Sequence, residues 1–444
     1  MTVGAPLSWI GIVRLGLVQT ALGAIVVLTT STLNRVMVVE LALPAILPGV
    51  LVALHYLVQV VRPRLGHGSD GGARRTPWIV GGMAVLASGG IGASVATAWM
   101  ATDPIAGIAL AVLSFGAIGI GVGAAGTALL VLLAKRVAEP RRAAAATIVW
   151  MMMIAGFAVT ATVAGHLLDP FSPARLIAVT TGVALVAFAV AVAAVWNVEG
   201  DGAGVVPAVE RTRPLFREAL RQVWAEPQAR RFTIFVFVSM LAYSAQDLIL
   251  EPFAGSVFGM TPGESTRLSG VQHGGVLAGM VLVALAGSLG RGRFGTLRAW
   301  TIGGCVASGI ALLGLVGAAF AGPGWPLRES VFVLGVANGA FAVAAIGSMM
   351  ELAGTGRAAR EGVRMGMWGA AQAVAFGLGD LVGTAASDVA RHLIGSPGDA
   401  YALVFAAEAL LFVFAGWLAA KVGSGAVFEP GARTGNVLVQ VERG

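Results

Sequence analysis

Twelve runs of apolar residues, each near the length that crosses a bilayer, recur along this chain, and that recurrence constrains its fold more than any motif does. A helix covers the hydrocarbon core in roughly 20 residues. Runs of that order occupy residues 12–34, 44–62, 77–99, 104–133, 144–168 and 175–196, then 232–250, 267–289, 297–321, 327–352, 363–389 and 399–421. With 57% hydrophobic residues, 11% charged and a mean hydropathy of +0.85, the composition excludes a soluble domain with a polar surface. The expected fold is all-α: a polytopic membrane protein of about 12 transmembrane helices. Its 63 glycines predict close helix packing. A single cysteine, Cys305, leaves no disulfide framework and no thiolate metal site. The first basic residue, Arg14, already lies inside an apolar run, so that run is read as a retained helix rather than a cleaved signal.

The runs divide into two sets of six. The expected organisation is an N-terminal six-helix bundle over 1–196, a basic cytoplasmic linker over 197–231, a C-terminal six-helix bundle over 232–421 and a cytoplasmic tail over 422–444. With both termini in the cytoplasm, most arginines fall on that side, and only Arg35, Arg175, Arg267, Arg328 and Arg391 fall opposite, as the positive-inside rule demands. The net charge of +7 thus reflects orientation and lipid contact, not nucleic acid. The halves echo one another: Glu40 and Pro44 follow the first helix of one, Glu251 and Pro252 that of the other. This pattern resembles the major facilitator fold, with two pseudo-symmetric bundles around a midplane site. Gly66, Asp70, Arg74 and Arg75 stand as G-x-x-x-D-x-x-A-R-R, which resembles the signature loop of major facilitators, with Ala73 at a position where glycine is usual. An acid facing arginines there makes a charge-assisted latch that one conformer holds and another breaks.

Catalytic motifs are missing. Gly290, Gly292 and Gly295 spell G-x-G-x-x-G but have no βαβ context, so no nucleotide site is expected, and no motif supports an enzyme. The informative residues are polar groups within apolar runs, because each must be paired, solvated or functional. His55 and Gln59 share a helix face and form a candidate core pair. Gln246, Asp247 and Glu251 end the seventh run, and Gln272 and His273 open the eighth. That cluster is either a proton-coupling or ligand site, or a set of interfacial ion pairs of Asp247 and Glu251 with Arg267 or Arg35. Asp380 and Glu408 raise the same question. A glycine stripe at Gly116, Gly119, Gly123 and Gly126 suggests close helix contact, and Met151, Met152 and Met153 suggest adaptable packing that also suits a macrocycle.

Three stretches carry a family resemblance: Thr29 to Pro44 (TTSTLNRVMVVELALP), Gln246 to Gly259 (QDLILEPFAGSVFG) and Phe341 to Gly383. Together they resemble the PucC/LhaA family of purple phototrophs, closest to the branch encoded beside bacteriochlorophyll synthesis genes. The resemblance implies a major facilitator fold given over to the assembly of light-harvesting complexes, handling or delivering bacteriochlorophyll to antenna polypeptides. Its implied partners are membrane lipid, antenna polypeptides, pigment-synthesis enzymes and bacteriochlorophyll as bound cargo. Its implied location is the bacterial intracytoplasmic photosynthetic membrane. A magnesium tetrapyrrole needs one axial N or O ligand and a flat apolar cleft. The candidate binding residues are Asn34, Glu40, His55, Gln246, Asp247, Glu251 and His273, with His273 the first choice for the magnesium. The alternative is a proton-coupled small-molecule transporter with Asp247, Glu251 or Asp380 as proton carrier.

Overall fold

A computed structural model describes residues 7–59, 74–138, 141–199, 221, 224–289, 296–354 and 361–422. Among the described residues, eleven helices are long and apolar enough to span a membrane, and a shorter apolar helix of 13 residues joins them. In chain order they are α1 (Trp9–Glu40), α2 (Ile46–Val58), α3 (Thr76–Trp99), α4 (Pro104–Arg136), α5 (Arg142–Leu167) and α6 (Pro173–Val195). The second half holds α7 (Pro227–Phe258), α8 (Pro262–Leu289), α9 (Leu297–Ala321), α10 (Leu327–Gly354), α11 (Glu361–Ile394) and α12 (Pro397–Val422).

Local chemistry sets the ends. Ser8, Asp103, Ser172 and Thr296 cap α1, α4, α6 and α9, each side chain accepting from a backbone N–H in the first turn. Proline sits in the first turn of α3, α4, α6 and α7, where its missing N–H costs nothing. That proline, Pro227, starts α7 inside the stretch expected to be linker, five residues before the apolar run. The extension is held by Glu226, whose carboxylate pairs with Arg364 at the start of α11 (2.7 Å). The first helix of each half is irregular toward its far end. α1 contains two π turns, Leu28–Thr32 and Val36–Glu40, and α7 loses its regular helix between Ala245 and Leu250.

Each half has its own apolar core. One runs from Ile12 to Val198 and takes in Leu248 from the other half, and the second runs from Ala229 to Ala419. The halves meet along two seams, α5 against α8 and α2 against α11. Small residues permit the approach: a Cβ on Gly270 would stand 2.4 Å from Thr162 Oγ1, and one on Gly49 2.1 Å from Thr384 Oγ1. In the glycine stripe of α4, Gly119 makes a close backbone approach, to the His55 carbonyl. Gly116 faces open space.

Candidate functional site between the bundles

On the face opposite the 197–231 connection, side chains tie the two halves together. Glu251 is 1% exposed, and its carboxylate accepts hydrogen bonds from Ser31 of α1 and from Ser265 of α8 (3.1 Å). One residue along each helix, the hydroxyls of Thr32 and Thr266 lie 3.0 Å apart. Asn34 donates to the Leu248 carbonyl (2.6 Å), in the irregular part of α7. Arg35, 2% exposed, donates to Glu40 (2.6 Å) and to the Met260 carbonyl (2.5 Å), with its guanidinium against Gly255. All four α1 residues lie in or between the two π turns, a geometry that recurs at functional sites. Further ties close the flanks. Asp388 of α11 accepts from the backbone N–H groups of Ala45 and Ile46, and Asp169 meets both Arg267 (2.9 Å) and Thr261 (2.9 Å). This is a polar clasp across the bundles.

The clasp engages several sequence candidates. Both oxygens of Glu251 accept hydrogen bonds, Asn34 donates through Nδ2 while its Oδ1 is buried without a hydrogen bond, and Arg35 donates to Oε1 of Glu40. The expected ion pairs of Asp247 and Glu251 with Arg35 or Arg267 do not form, because Arg35 finds Glu40 five residues away and Arg267 finds Asp169. His55 shares a 2.8 Å hydrogen bond with Gln59, and its ring lies tilted at 53° to that of Tyr56.

His273 stands apart from that group. Glu251 reaches α8 at Ser265, eight residues earlier, which is roughly 12 Å along a helix. The Nδ1 of His273 lies 2.9 Å from the Ser269 carbonyl. A carbonyl only accepts, so the proton sits on Nδ1 and the lone pair on Nε2 is available to a ligand. The ring meets the Phe157 ring edge to face at 5.0 Å. Around it lies an apolar wall of Met151, Met153, Ile154, Val276 and Met280, and Gln19 of α1 donates to the Met153 sulfur (3.1 Å) while its own Oε1 stays buried without a partner. An imidazole with a fixed tautomer beside a polarizable apolar wall fits an axial ligand to a magnesium tetrapyrrole.

A third group lies inside the C-terminal bundle. Asp247 of α7 is near enough to Asp380 of α11 and Glu408 of α12 for their charges to interact. Asp380 Oδ1, both oxygens of Glu408 and both amide atoms of Gln246 are buried without hydrogen bonds. Such groups are expensive in an apolar bundle unless they serve a purpose. On the linker face, Arg74 is exposed and Arg75 buried, and Asp70 lies outside the described residues. The acid seen there is Glu199, which the sequence reading passed over. It accepts from the backbone N–H groups of Arg75 (2.6 Å) and Thr76 (2.9 Å) and from the Thr76 hydroxyl, and so caps α3.

The model of the PUCC protein family matches residues 32–426. The chain is 53% identical to the bacteriochlorophyll synthase 44.5 kDa chain of Rhodobacter capsulatus, over 94% of this chain and 96% of that one. It is 32% identical to the protein PucC of the same organism, over 91% and 90% of the two chains. Among solved structures it is similar to the nucleoside transporter NupG (TM-score 0.68, 13% identity, 93% and 100% covered) and to a D-xylose-proton symporter (TM-score 0.67, 15% identity, 90% and 96% covered). At such identities the likeness to transporters establishes the fold and nothing more, whereas the family match spans both bundles. This multi-pass membrane protein, built on the major facilitator fold, belongs to the PUCC protein family.

Proposed function

We propose that the protein assists the assembly of photosynthetic light-harvesting complexes by holding bacteriochlorophyll between its bundles for antenna polypeptides, in the intracytoplasmic membrane, with both termini cytoplasmic. One observation carries the reading: the bond of His273 Nδ1 to Ser269 fixes the tautomer and leaves Nε2 to a ligand, on a ring set beside the apolar wall of the α5–α8 seam, while Glu251 and His55 are engaged in hydrogen bonds. His273 would hold the magnesium and the Met151–Val276 wall would meet the macrocycle; the bound pigment supplies the light-absorbing group itself. The role is non-catalytic. The word synthase belongs to the 53% identical relative, and a pigment-holding subunit near pigment-making enzymes is consistent with such a name. The test is an absorption spectrum of the protein purified in mild detergent from a pigment-producing host, beside His273→Ala. A near-stoichiometric bacteriochlorophyll band that weakens or shifts in the variant supports the reading, and a colourless wild type overturns it.

The buried carboxylates favour a second reading, proton-coupled transport of a small molecule. Asp247, Asp380 and Glu408 are the groups that would carry the proton. Proton movement in proteoliposomes that Asp380→Asn abolishes would select it.

A further inference from the structure

We infer that the linker-face end of the N-terminal bundle carries a site for one anionic phospholipid, with Arg14 as its headgroup contact. The site is independent of what the bundles hold between them. A groove of about 630 Å³ opens there, lined by Arg14 of α1 and by Phe188, Ala189, Val192, Ala193 and Trp196 of α6 and its end. Its walls are apolar apart from one cation. Arg14 donates through Nε to the Ala194 carbonyl (3.1 Å) and through Nη2 to the carbonyls of Ala193 and Trp196, which holds the guanidinium in the groove. Among the described residues its Nη1 has no hydrogen-bond partner and no carboxylate pairs with it. The acid three residues beyond Trp196, Glu199, is committed to the N-terminus of α3.

Depth and shape select the ligand. Side chains on a helix lean toward its N-terminus, so Arg14, five residues into α1, reaches back to the level at which α6 ends. Trp9 and Trp196, 47% and 73% exposed, mark that level as the membrane interface. A second cation, Arg141, lies over the Trp9 ring at 5.3 Å. A fixed, unneutralised cation at headgroup depth, continuous with an apolar channel that runs along Val192, Ala189 and Phe188 toward the bilayer centre, complements a phosphodiester bearing acyl chains. A free phosphate would use the cation and leave the channel empty.

Native mass spectrometry of the full chain, titrated with phosphatidylglycerol or phosphatidylcholine, tests this. Wild type should keep one phosphatidylglycerol under activation that strips phosphatidylcholine. Arg14→Gln should lower the retained fraction about fivefold, the factor one basic residue contributes at an anionic surface. Because Arg14 also caps α6, Ala189→Phe serves as the second variant: it blocks the channel, leaves the guanidinium bonds intact, and should lose the lipid as well. Equal retention of the two lipids by wild type, unchanged retention in Ala189→Phe, displacement by inorganic phosphate, or a pigment or peptide adduct in place of lipid would each overturn the assignment.

Discussion

At the scale of single residues, two of the candidate site residues, His273 and His55, divide sharply. Replacing His273 by alanine removes an imidazole whose Nε2 has no partner among the described residues, so the fold should survive and the pigment band should weaken or shift. Replacing His55 by alanine instead removes a hydrogen bond from Gln59 at a 7% exposed position, which costs about 0.5–1.5 kcal/mol, and should lower the unfolding midpoint with no spectral change. Purified variants compared by absorption and thermal unfolding check both outcomes, and a spectral effect confined to His55→Ala would refute the assignment. Glu251→Gln keeps the shape of the clasp but leaves one side-chain oxygen where Ser31 and Ser265 each had their own. A loss of about 1 kcal/mol and a lower antenna yield, with the protein still in the membrane, is the expected result; undiminished antenna yield would remove Glu251 from the site. The sequence made Glu251, Asn34 and His273 conspicuous because polar groups stand out in apolar runs. It hid their partners. Ser31, Ser265 and Thr266 resemble any small residue of a membrane helix, and backbone carbonyls such as those of Leu248 and Ser269 leave no trace in a sequence.

At the scale of helices, the position of His273 depends on the crossing of α8 with α10. Gly275, Gly279, Gly335 and Gly339 form it, and a Cβ on Gly279 would stand 2.1 Å from the Val336 carbonyl oxygen, one on Gly339 2.0 Å from that of Val276. Backbone cannot retreat as a side chain can. Gly339→Val should therefore destabilise the C-terminal bundle by about 1–3 kcal/mol or more, the usual range for overpacking, and disturb any pigment held by His273. Gly116→Val faces open space and should be neutral; equal unfolding midpoints for the two variants would contradict the packing described. Both G-x-x-x-G pairs of this crossing are a readable close-contact signal, although the stripe of α4 is denser in glycine. Spacing reports which helices are able to approach, and the neighbour each one meets is decided in three dimensions. The π turns of α1 leave no sequence signal either; they coincide with the stretch that bonds to the other half.

At the scale of the whole molecule, the two six-helix halves were legible because membrane spans are written in composition, and a basic stretch separated them. How the halves close on each other was not legible, since that depends on ties between residues some 200 positions apart. The clasp joins the bundles on the face opposite the linker, whereas near the linker the ties among described residues stay within one half: Leu7 to Arg136, Arg14 to Trp196, Glu226 to Arg364 and Arg298 to Ala420. A transporter must open the clasped face once per cycle. A protein that receives a lipid-soluble pigment from within the membrane and passes it to a neighbouring helix has no such need. Thr32 and Thr266 allow the distinction to be tested, because their buried hydroxyls are 3.0 Å apart and cysteines placed there fall within reach of a disulfide. The native Cys305 is buried in α9 and does not compete. The Thr32→Cys, Thr266→Cys pair should oxidise readily under copper-phenanthroline and, once crosslinked, still retain pigment and support antenna assembly in isolated membranes. Loss of that activity on crosslinking, with recovery on reduction, would mean that the clasp must open, and would move the protein from pigment holding to alternating access.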